Sequence, residues 1–261
     1  GTGEGVLLPV TEDRIAPPIS PKAWQRTIRE RHEADDIRPP LVSTEGCWVE
    51  AISREEAEPF ILRYEWLGTM GRCMATYGMR APDGELVGVS VFGWPGSIQS
   101  RDICGADNRD VAICLERGAC SHRAPPNAAS FLISRSVRLA AQDRGWRIFY
   151  AYADPEAGEI GTVYQACNWL YIGQGIGRGN KKGRFLLRQD WMIPEEGNKV
   201  ISSRTLRKRG VLIRQAREMG WIPVYRHPKH KYVHFEGNRV ERRQLMAQLR
   251  YPAQPYPKRA D

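Results

Sequence analysis

The sequence predicts an α/β fold in which a mixed, mostly antiparallel sheet is flanked by helices and followed by a basic C-terminal extension. Three observations predict it. Short apolar runs alternate with amphipathic helical segments over residues 45–190. Turn residues at 81–84 join two of the runs into a hairpin. A long helix that ends at Gly145 connects two further runs, which must then lie parallel.

The first half of the chain gives its elements from local signals. A short helix is expected over 24–34, and Ser53 begins an amphipathic helix over 53–67. Strands over 72–80 and 85–94 are separated by Ala81-Pro82-Asp83-Gly84, in which Pro and Gly supply the dihedral angles of a tight turn. A third strand is expected over 111–118.

The second half begins with a helix over 127–144, for which Asn127 is the expected N-cap and Gly145 the stop signal. An apolar strand over 147–153, a short helix over 161–167 and a strand over 169–173 follow. Beyond residue 175 the pattern is weaker. It indicates a strand over 184–189, a basic helix over 203–219 and a hairpin-like region that ends at 232–235.

Charge divides the chain into a Pro-rich arm (1–44), a core (45–190) and a basic C-terminal region (191–261). Residues 175–261 hold 21 Lys and Arg against 7 Asp and Glu, whereas residues 1–174 hold 18 against 23. Positive charge follows phosphates and aromatic faces stack on bases, so double-stranded DNA is the expected partner and a merely solvated face is the alternative. The expected contacts are Arg204, Arg207, Lys208, Arg209, Lys229 and Lys231.

Other classes of protein are disfavoured by composition. No run of about 18 apolar residues exists, so no transmembrane helix is expected. No basic amphipathic helix with a broad apolar face stands out either, so we expect no membrane partner. Residues 1–5 lack the features of a secretion signal, and the six cysteines form no C-x-x-C pair, which favours reduced thiols in the cytoplasm.

Several segments together carry a resemblance. The order of elements and the segment Tyr164-Gln165-Ala166-Cys167-Asn168-Trp169 look like the GNAT acyltransferase superfamily. The more specific blocks are Leu115-Glu116-Arg117, Pro126-Asn127-Ala128-Ala129-Ser130, Tyr152-Ala153-Asp154-Pro155, Gly161 to Gly173, and Leu249 to Arg259. Over roughly residues 60–259 these resemble the phage Mom family.

The resemblance implies a GNAT-like core and an enzyme that converts adenine in DNA to a carbamoylmethyl derivative at its exocyclic amine, which protects phage DNA from restriction in the host cytoplasm. It implies catalytic roles for Asp154 and Tyr164, and donor or substrate binding by Arg117, Asn127 and Ser130. Residues 122–130 contain no Gly where GNAT proteins usually have a glycine loop. We therefore expect an acyl-type donor of unknown identity rather than ordinary acetyl-CoA.

Each of these residues also has a structural interpretation. Asp154 can be a turn residue that ends a strand, and Tyr164 a core aromatic. Arg117 can form a structural ion pair with Glu116, and Ser130 can solvate N–H groups in a first helical turn. A metal site at Cys120 and His122 lacks a second ligand pair. His227, His230 and His234 could together hold a metal, but phosphate contacts or solvent exposure are the favoured interpretation, so no metal is expected.

Two further functions stay open. One is a GNAT-fold transferase that acts on another amine, such as a modified pyrimidine in DNA, an aminoacyl acceptor or a small molecule. The other is a DNA-binding module without enzymatic activity. The absence of the glycine loop favours the second slightly over a normal acetyltransferase, whereas Asp154 and Tyr164 favour an enzyme.

Overall fold

The structure is a computed structural model that describes residues 22–94, 98–174, 186–189, 201–202, 208–219, 221–224 and 227–259. It divides into two compact units, residues 20–175 with 228–261 and residues 1–19 with 176–227. The helices and strands of the first unit are, in chain order, α1 (Trp24–Asp35), β1 (Trp48–Ala51), α2 (Arg54–Tyr64), β2 (Ala75–Arg80), β3 (Leu86–Gly93), β4 (Ala112–Cys120), α3 (Ala128–Arg144), β5 (Ile148–Ala153), α4 (Thr162–Ala166), β6 (Leu170–Gln174), β10 (His230–Phe235) and α6 (Arg239–Ala247).

The seven strands of this unit form one sheet in the order β1-β2-β3-β4-β5-β10-β6. Strands β4 and β5 are parallel and are connected through α3, and the other described pairs are antiparallel. The expected mixed, mostly antiparallel sheet flanked by helices is therefore confirmed. None of the described helices has the length and apolar character needed to span a bilayer.

Alternation along β3 shows how the two faces of the sheet are covered. Phe92 packs with Ile133 and Val137 of α3 on one face. Val89 and Val91 point to the opposite face and pack against α2. On that second face, Leu245 of α6 packs over β5 and β10.

The ends of the helices follow the sequence signals in two of three cases. Ser53 caps α2 by accepting a hydrogen bond from the Glu56 amide at 3.1 Å, and Gly145 ends α3 with a φ of +70°. Asn127 does not cap α3, which corrects the expectation. Its backbone is left-handed, with φ +63°, and its side chain makes no capping hydrogen bond.

The C-terminal region contributes to the core in a way that the charge pattern did not indicate. Strand β10 belongs to residues 191–261, yet it lies between β5 and β6 and pairs with both. At the other end, α1 of the arm packs on the end of α2, where the Trp24 and Trp66 rings lie 5.2 Å apart.

The second unit is described only in part. Its strands β7 (Leu186–Gln189), β8 (Ile201–Ser202) and β9 (Trp221–Val224) form a sheet in the order β8-β7-β9, and its helix α5 spans Ile213–Glu218. Residues 203–207 of the predicted basic helix lie outside the described residues.

Candidate active site

Strands β4 and β5 part in the middle of the sheet. Their parallel pairing begins at Ala112 and Ile148 and ends at Leu115 and Ala151, although both strands continue. On its other side, β4 bulges against β3 because Glu116 is an extra residue between two registered pairs. The side chains that follow this point on β4 and β5 therefore border a gap in the sheet.

One face of the sheet beside this gap is polar. Side chains alternate along a strand, so Tyr150, Tyr152 and Asp154 share a face at the end of β5. The register places Cys114 beside Tyr150 and Lys231 opposite Tyr152, which puts Lys229 opposite Asp154. We call this set the polar ladder; its members are Cys114, Tyr150, Tyr152, Asp154, Lys229 and Lys231.

Asp154 is held rigidly at the top of the polar ladder. It is only 4% exposed. Its Oδ2 lies 2.9 Å from Nζ of Lys229, and its Oδ1 accepts a hydrogen bond from the Glu156 amide at 3.1 Å. The second contact caps a short 3-10 turn, so the interpretation of Asp154 as a strand-ending turn residue describes part of what it does. The ion pair gives it a second role.

Lys231, one of the expected DNA contacts, does not lie on the surface. It is 9% exposed, and its ammonium faces the rings of Tyr150, Tyr152 and Tyr251 at 5.4, 5.6 and 5.3 Å from their centres. Burial lowers its pKa to about 8.

Tyr164 packs as a core aromatic and carries a protected hydroxyl. Its half-buried ring lies 5.2 Å from Trp169 and 5.3 Å from Tyr232, centre to centre. Burial raises the pKa of Tyr164 well above its ordinary value, and the nearby Cys114, Glu159 and Glu65 act in the same direction. The hydroxyl therefore stays protonated at physiological pH and can donate a hydrogen bond or a proton.

Arg117 connects β4 to the loop after α2. Its Nε donates to the Thr69 carbonyl at 2.7 Å, and its guanidinium also reaches the Thr69 hydroxyl at 3.0 Å. The carboxylates of Glu65 and Glu116 each lie 3.7 Å from it. These contacts occupy much of the Arg117 guanidinium group. The interpretation of Arg117 as a structural ion pair with Glu116 therefore describes its observed environment.

Two carboxylates near the gap were not singled out from the sequence. Glu65 is 5% exposed, and burial raises its pKa to about 7 against the opposing charge of Arg117. Burial also raises the pKa of Glu116, opposed by Arg117, Arg72 and Lys229. Glu116 stands in the Leu-Glu-Arg block, where its spacing could have indicated it, whereas Glu65 at the end of α2 offers no motif.

Asn127 and Ser130 lie at the start of α3 and not on the polar ladder. Asn127 is exposed. The Ser130 hydroxyl donates to the Asn127 carbonyl at 2.9 Å, which is a local contact within the turn. The Ser130 carbonyl in turn accepts from the Cys167 thiol at 3.6 Å, which links this turn to the end of α4.

The remaining candidate residues are dispersed. Arg204 and Arg207 lie outside the described residues, while Lys208 and Arg209 are exposed. His230 contacts the Tyr171 hydroxyl at 3.0 Å, and His234 pairs with Glu236 at 2.9 Å. His122 pairs with Asp36, also at 2.9 Å. Within the described ranges, no group of His, Cys, Asp and Glu is arranged to hold a metal ion.

Comparisons with known proteins add a family and several relatives. The model of the Mom protein family matches residues 47–258. The methylcarbamoylase mom of Escherichia phage Mu is 28% identical over 179 residues, which are 67% of this chain and 68% of that protein.

Among solved structures, a spermidine N-acetyltransferase from Vibrio cholerae is 8% identical with a TM-score of 0.39; the match covers 73% of this chain and 94% of the other. An IAA acetyltransferase from Bacillus cereus is 12% identical with a TM-score of 0.39, over 73% and 99% of the two chains.

Proposed function

This chain belongs to the Mom protein family, which makes it an acyltransferase-like enzyme, and on that premise we propose that it modifies adenine in DNA. The product is a carbamoylmethyl derivative at the exocyclic amine, and the modification protects phage DNA from restriction in the cytoplasm of the host. The name of the phage Mu relative, a methylcarbamoylase, supports the chemical class of the transferred group.

The observation that carries the proposal is the Asp154–Lys229 pair, which lies beside the gap where β4 and β5 part. The exocyclic amine of adenine is a poor nucleophile because its lone pair is delocalised into the ring. A fixed carboxylate that accepts a hydrogen bond from this amine orients it and accepts its proton as the new N–C bond forms. Asp154 is such a carboxylate.

Tyr164 supplies the complementary group. Since burial keeps its hydroxyl protonated, Tyr164 acts as a donor toward the leaving group of the acyl-type substrate and not as a base. The rings of Trp169 and Tyr232 fix its orientation. Asp154 and Tyr164 thus divide the proton-accepting and proton-donating tasks.

The donor is an acyl-type compound that does not depend on a pyrophosphate cradle between β4 and α3. In that turn, Pro125 and Pro126 have no backbone N–H to offer. The Ala128 amide donates to the Pro125 carbonyl, and the Arg123 carbonyl accepts from Leu41 of the N-terminal arm. This turn therefore offers a diphosphate fewer backbone N–H groups than a glycine loop does, and the usual coenzyme A contact is not part of the proposal.

Double-stranded DNA is gripped by the basic C-terminal third, through Lys208 and Arg209 together with Arg204 and Arg207. The exocyclic amine of a stacked base is out of reach of a buried carboxylate, so the target adenine leaves the stack before it reacts. Lys229 and Lys231, which were grouped with these residues by charge, lie on the polar ladder and serve the reacting base instead.

The test is co-expression of the protein with a plasmid, followed by mass spectrometry of the plasmid nucleosides. Carbamoylmethyl-adenine is expected with the wild-type chain and is expected to vanish with Asp154→Asn. Ordinary adenine throughout would refute the proposal. A modified pyrimidine in its place would select the alternative transferase that acts on another amine.

A further inference from the structure

Lys231 occupies an environment that a sheet residue rarely has. Lysine is almost never fully buried unless it is paired. In the part of the chain that the structure describes, no carboxylate lies within ion-pair distance of its Nζ, and the groups that its ammonium faces are three tyrosine rings. Two of these rings, Tyr150 and Tyr152, stand nearly perpendicular to each other at 6.1 Å.

A purely structural role explains this arrangement poorly. Cation–π contacts return about 0.5–2 kcal/mol, whereas burial of an ammonium opposes its charged form, as the lowered pKa of Lys231 shows. A methionine of similar length would fill the same space without that penalty. The buried ammonium of Lys231 therefore indicates a ligand that accepts hydrogen bonds.

The position of Lys231 relative to Asp154 indicates the size of that ligand. Lys231 of β10 and Lys229, the residue just before this strand, are two residues apart, which is about 7 Å along an extended chain. Asp154 is paired with Lys229, and Tyr152 stands opposite Lys231. A base whose exocyclic amine and a neighbouring ring nitrogen each lie about 3 Å from their protein partners fits this step, so one base can reach from Asp154 to Lys231 across the Tyr152 ring.

Tyr251 gives this subsite an accessible side. It is 44% exposed and lies after the end of α6, on a segment that is anchored where the Arg250 amide donates to the Ile103 carbonyl at 2.9 Å. Aromatic side chains on either side of a base contribute about 1–3 kcal/mol per stacked base. The rings of Tyr152 and Tyr251 both face the Lys231 ammonium, at 5.6 and 5.3 Å from their centres, so a base that binds Lys231 lies beside them.

We propose that Lys231, Tyr152 and Tyr251 form the subsite that holds the extruded adenine, with a ring nitrogen of the base accepting a hydrogen bond from Nζ of Lys231. The exocyclic amine then lies at Asp154. An ammonium is only a donor, and the ring nitrogens of adenine are acceptors. Lys231 is thus a specificity-determining residue, and this inference rests on the proposed function.

Adenine analogues that lack one ring nitrogen test this contact. DNA is copied with equal amounts of the adenine nucleotide and one of its 7-deaza, 3-deaza or 1-deaza analogues. Adenine and the analogue then compete for modification within the same DNA. The DNA is incubated in a clarified extract of host cells that express the protein. The extract also supplies the donor of the transferred group. Mass spectrometry then gives the ratio of modified adenine to modified analogue.

The wild-type chain is expected to favour adenine over one of the three analogues by about 10- to 100-fold, because that analogue cannot accept the charge-assisted hydrogen bond. Lys231→Met is expected to bring this ratio close to one. Lys258→Met, at an exposed lysine of the C-terminal segment, removes the same charge and is expected to keep the wild-type ratio. Equal ratios in the wild-type chain and Lys231→Met would overturn the inference.

Tyr251→Ala keeps the inference testable if Lys231→Met does not fold, since Tyr251 is an exposed side chain. It is expected to lower the modification of adenine and of every analogue alike, by about 5- to 100-fold, with the ratios unchanged. A wild-type yield from Tyr251→Ala would overturn the stacking role. Failure of the proposed function is distinguishable, because the wild-type chain would then give no modified adenine.

Discussion

Nζ of Lys229 lies 2.9 Å from Oδ2 of Asp154, and the two residues face each other across neighbouring antiparallel strands. They differ in exposure, because the Lys229 side chain is 37% exposed whereas that of Asp154 is 4% exposed. The lysine can move toward solvent and the carboxylate cannot. An incoming amine can therefore share or replace Lys229 at a carboxylate that is already oriented.

The first prediction is that Asp154 and Lys229 act as one unit. Asp154→Asn and Lys229→Met are each expected to lower the yield of modified adenine, by about 10²- to 10⁴-fold for the carboxylate. The double variant should give the same yield of modified adenine as the less active single variant, because either change already breaks the pair. Nucleoside mass spectrometry gives the yields. If the loss in the double variant equals the product of the two single losses, Asp154 and Lys229 act independently and the prediction is wrong.

The second prediction concerns the hydroxyl of Tyr164. Tyr164→Phe keeps the ring contacts with Trp169 and Tyr232, so the free energy of unfolding should change by less than about 1 kcal/mol. Loss of the proton donor should lower the yield of modified adenine by about 10²- to 10⁴-fold. Thermal unfolding and nucleoside mass spectrometry separate the two effects. Normal modification by a folded Tyr164→Phe chain would remove Tyr164 from the chemistry.

Much of the sheet could be predicted because its signals are local. The turn at 81–84 and the helix that ends at Gly145 fix the β2–β3 hairpin and the parallel β4–β5 pair. The insertion of β10 between β5 and β6 could not be predicted, because it depends on pairing between segments more than 50 residues apart in sequence. The expectation for Asn127 was wrong because a cap requires a particular backbone angle, which residue type alone does not give.

The site could be predicted in the same uneven way. Asp154 and Tyr164 stand in sequence segments that resemble the Mom family. Lys229 and Lys231 are recognisable in the sequence only by their charge, and nothing in the surrounding residues indicates that Lys231 is buried. The alternation in Tyr150-x-Tyr152-x-Asp154 and Lys229-x-Lys231 was visible, and only the register of β10 on β5 brings these residues together. Glu65 had no signal, because its burial depends on α2 packing against the bulged strand.

The third prediction addresses the DNA grip. Replacement of Arg207, Lys208 and Arg209 with Ala should weaken binding to all duplex sequences alike. The slope of log affinity against log salt should become shallower by about 0.9 for each phosphate that the variant no longer neutralises. Lys231→Met should leave this slope unchanged, since Lys231 is buried. Fluorescence anisotropy over a salt series measures both, and equal slopes for the wild-type chain and the triple variant would exclude these residues from the interface.

The last prediction concerns stability and the carboxyl group of Glu65. Burial raises its pKa from 4.5 to about 7, so between these values the folded chain holds a proton that the unfolded chain has released. Protonation then favours the folded state, and the contribution of Glu65 to stability is lost as pH rises through about 7. Glu65→Gln stays neutral at every pH. Relative to the wild-type chain it should therefore gain stability between pH 5 and pH 8, by on the order of 3 kcal/mol for a shift of this size.

Urea unfolding at several pH values measures the difference. Glu58→Gln, in α2 at a side chain that is 42% exposed, should change stability by about 0.5 kcal/mol or less throughout. A difference between the wild-type chain and Glu65→Gln that does not vary with pH would show that this carboxyl group is not buried beside Arg117 as described.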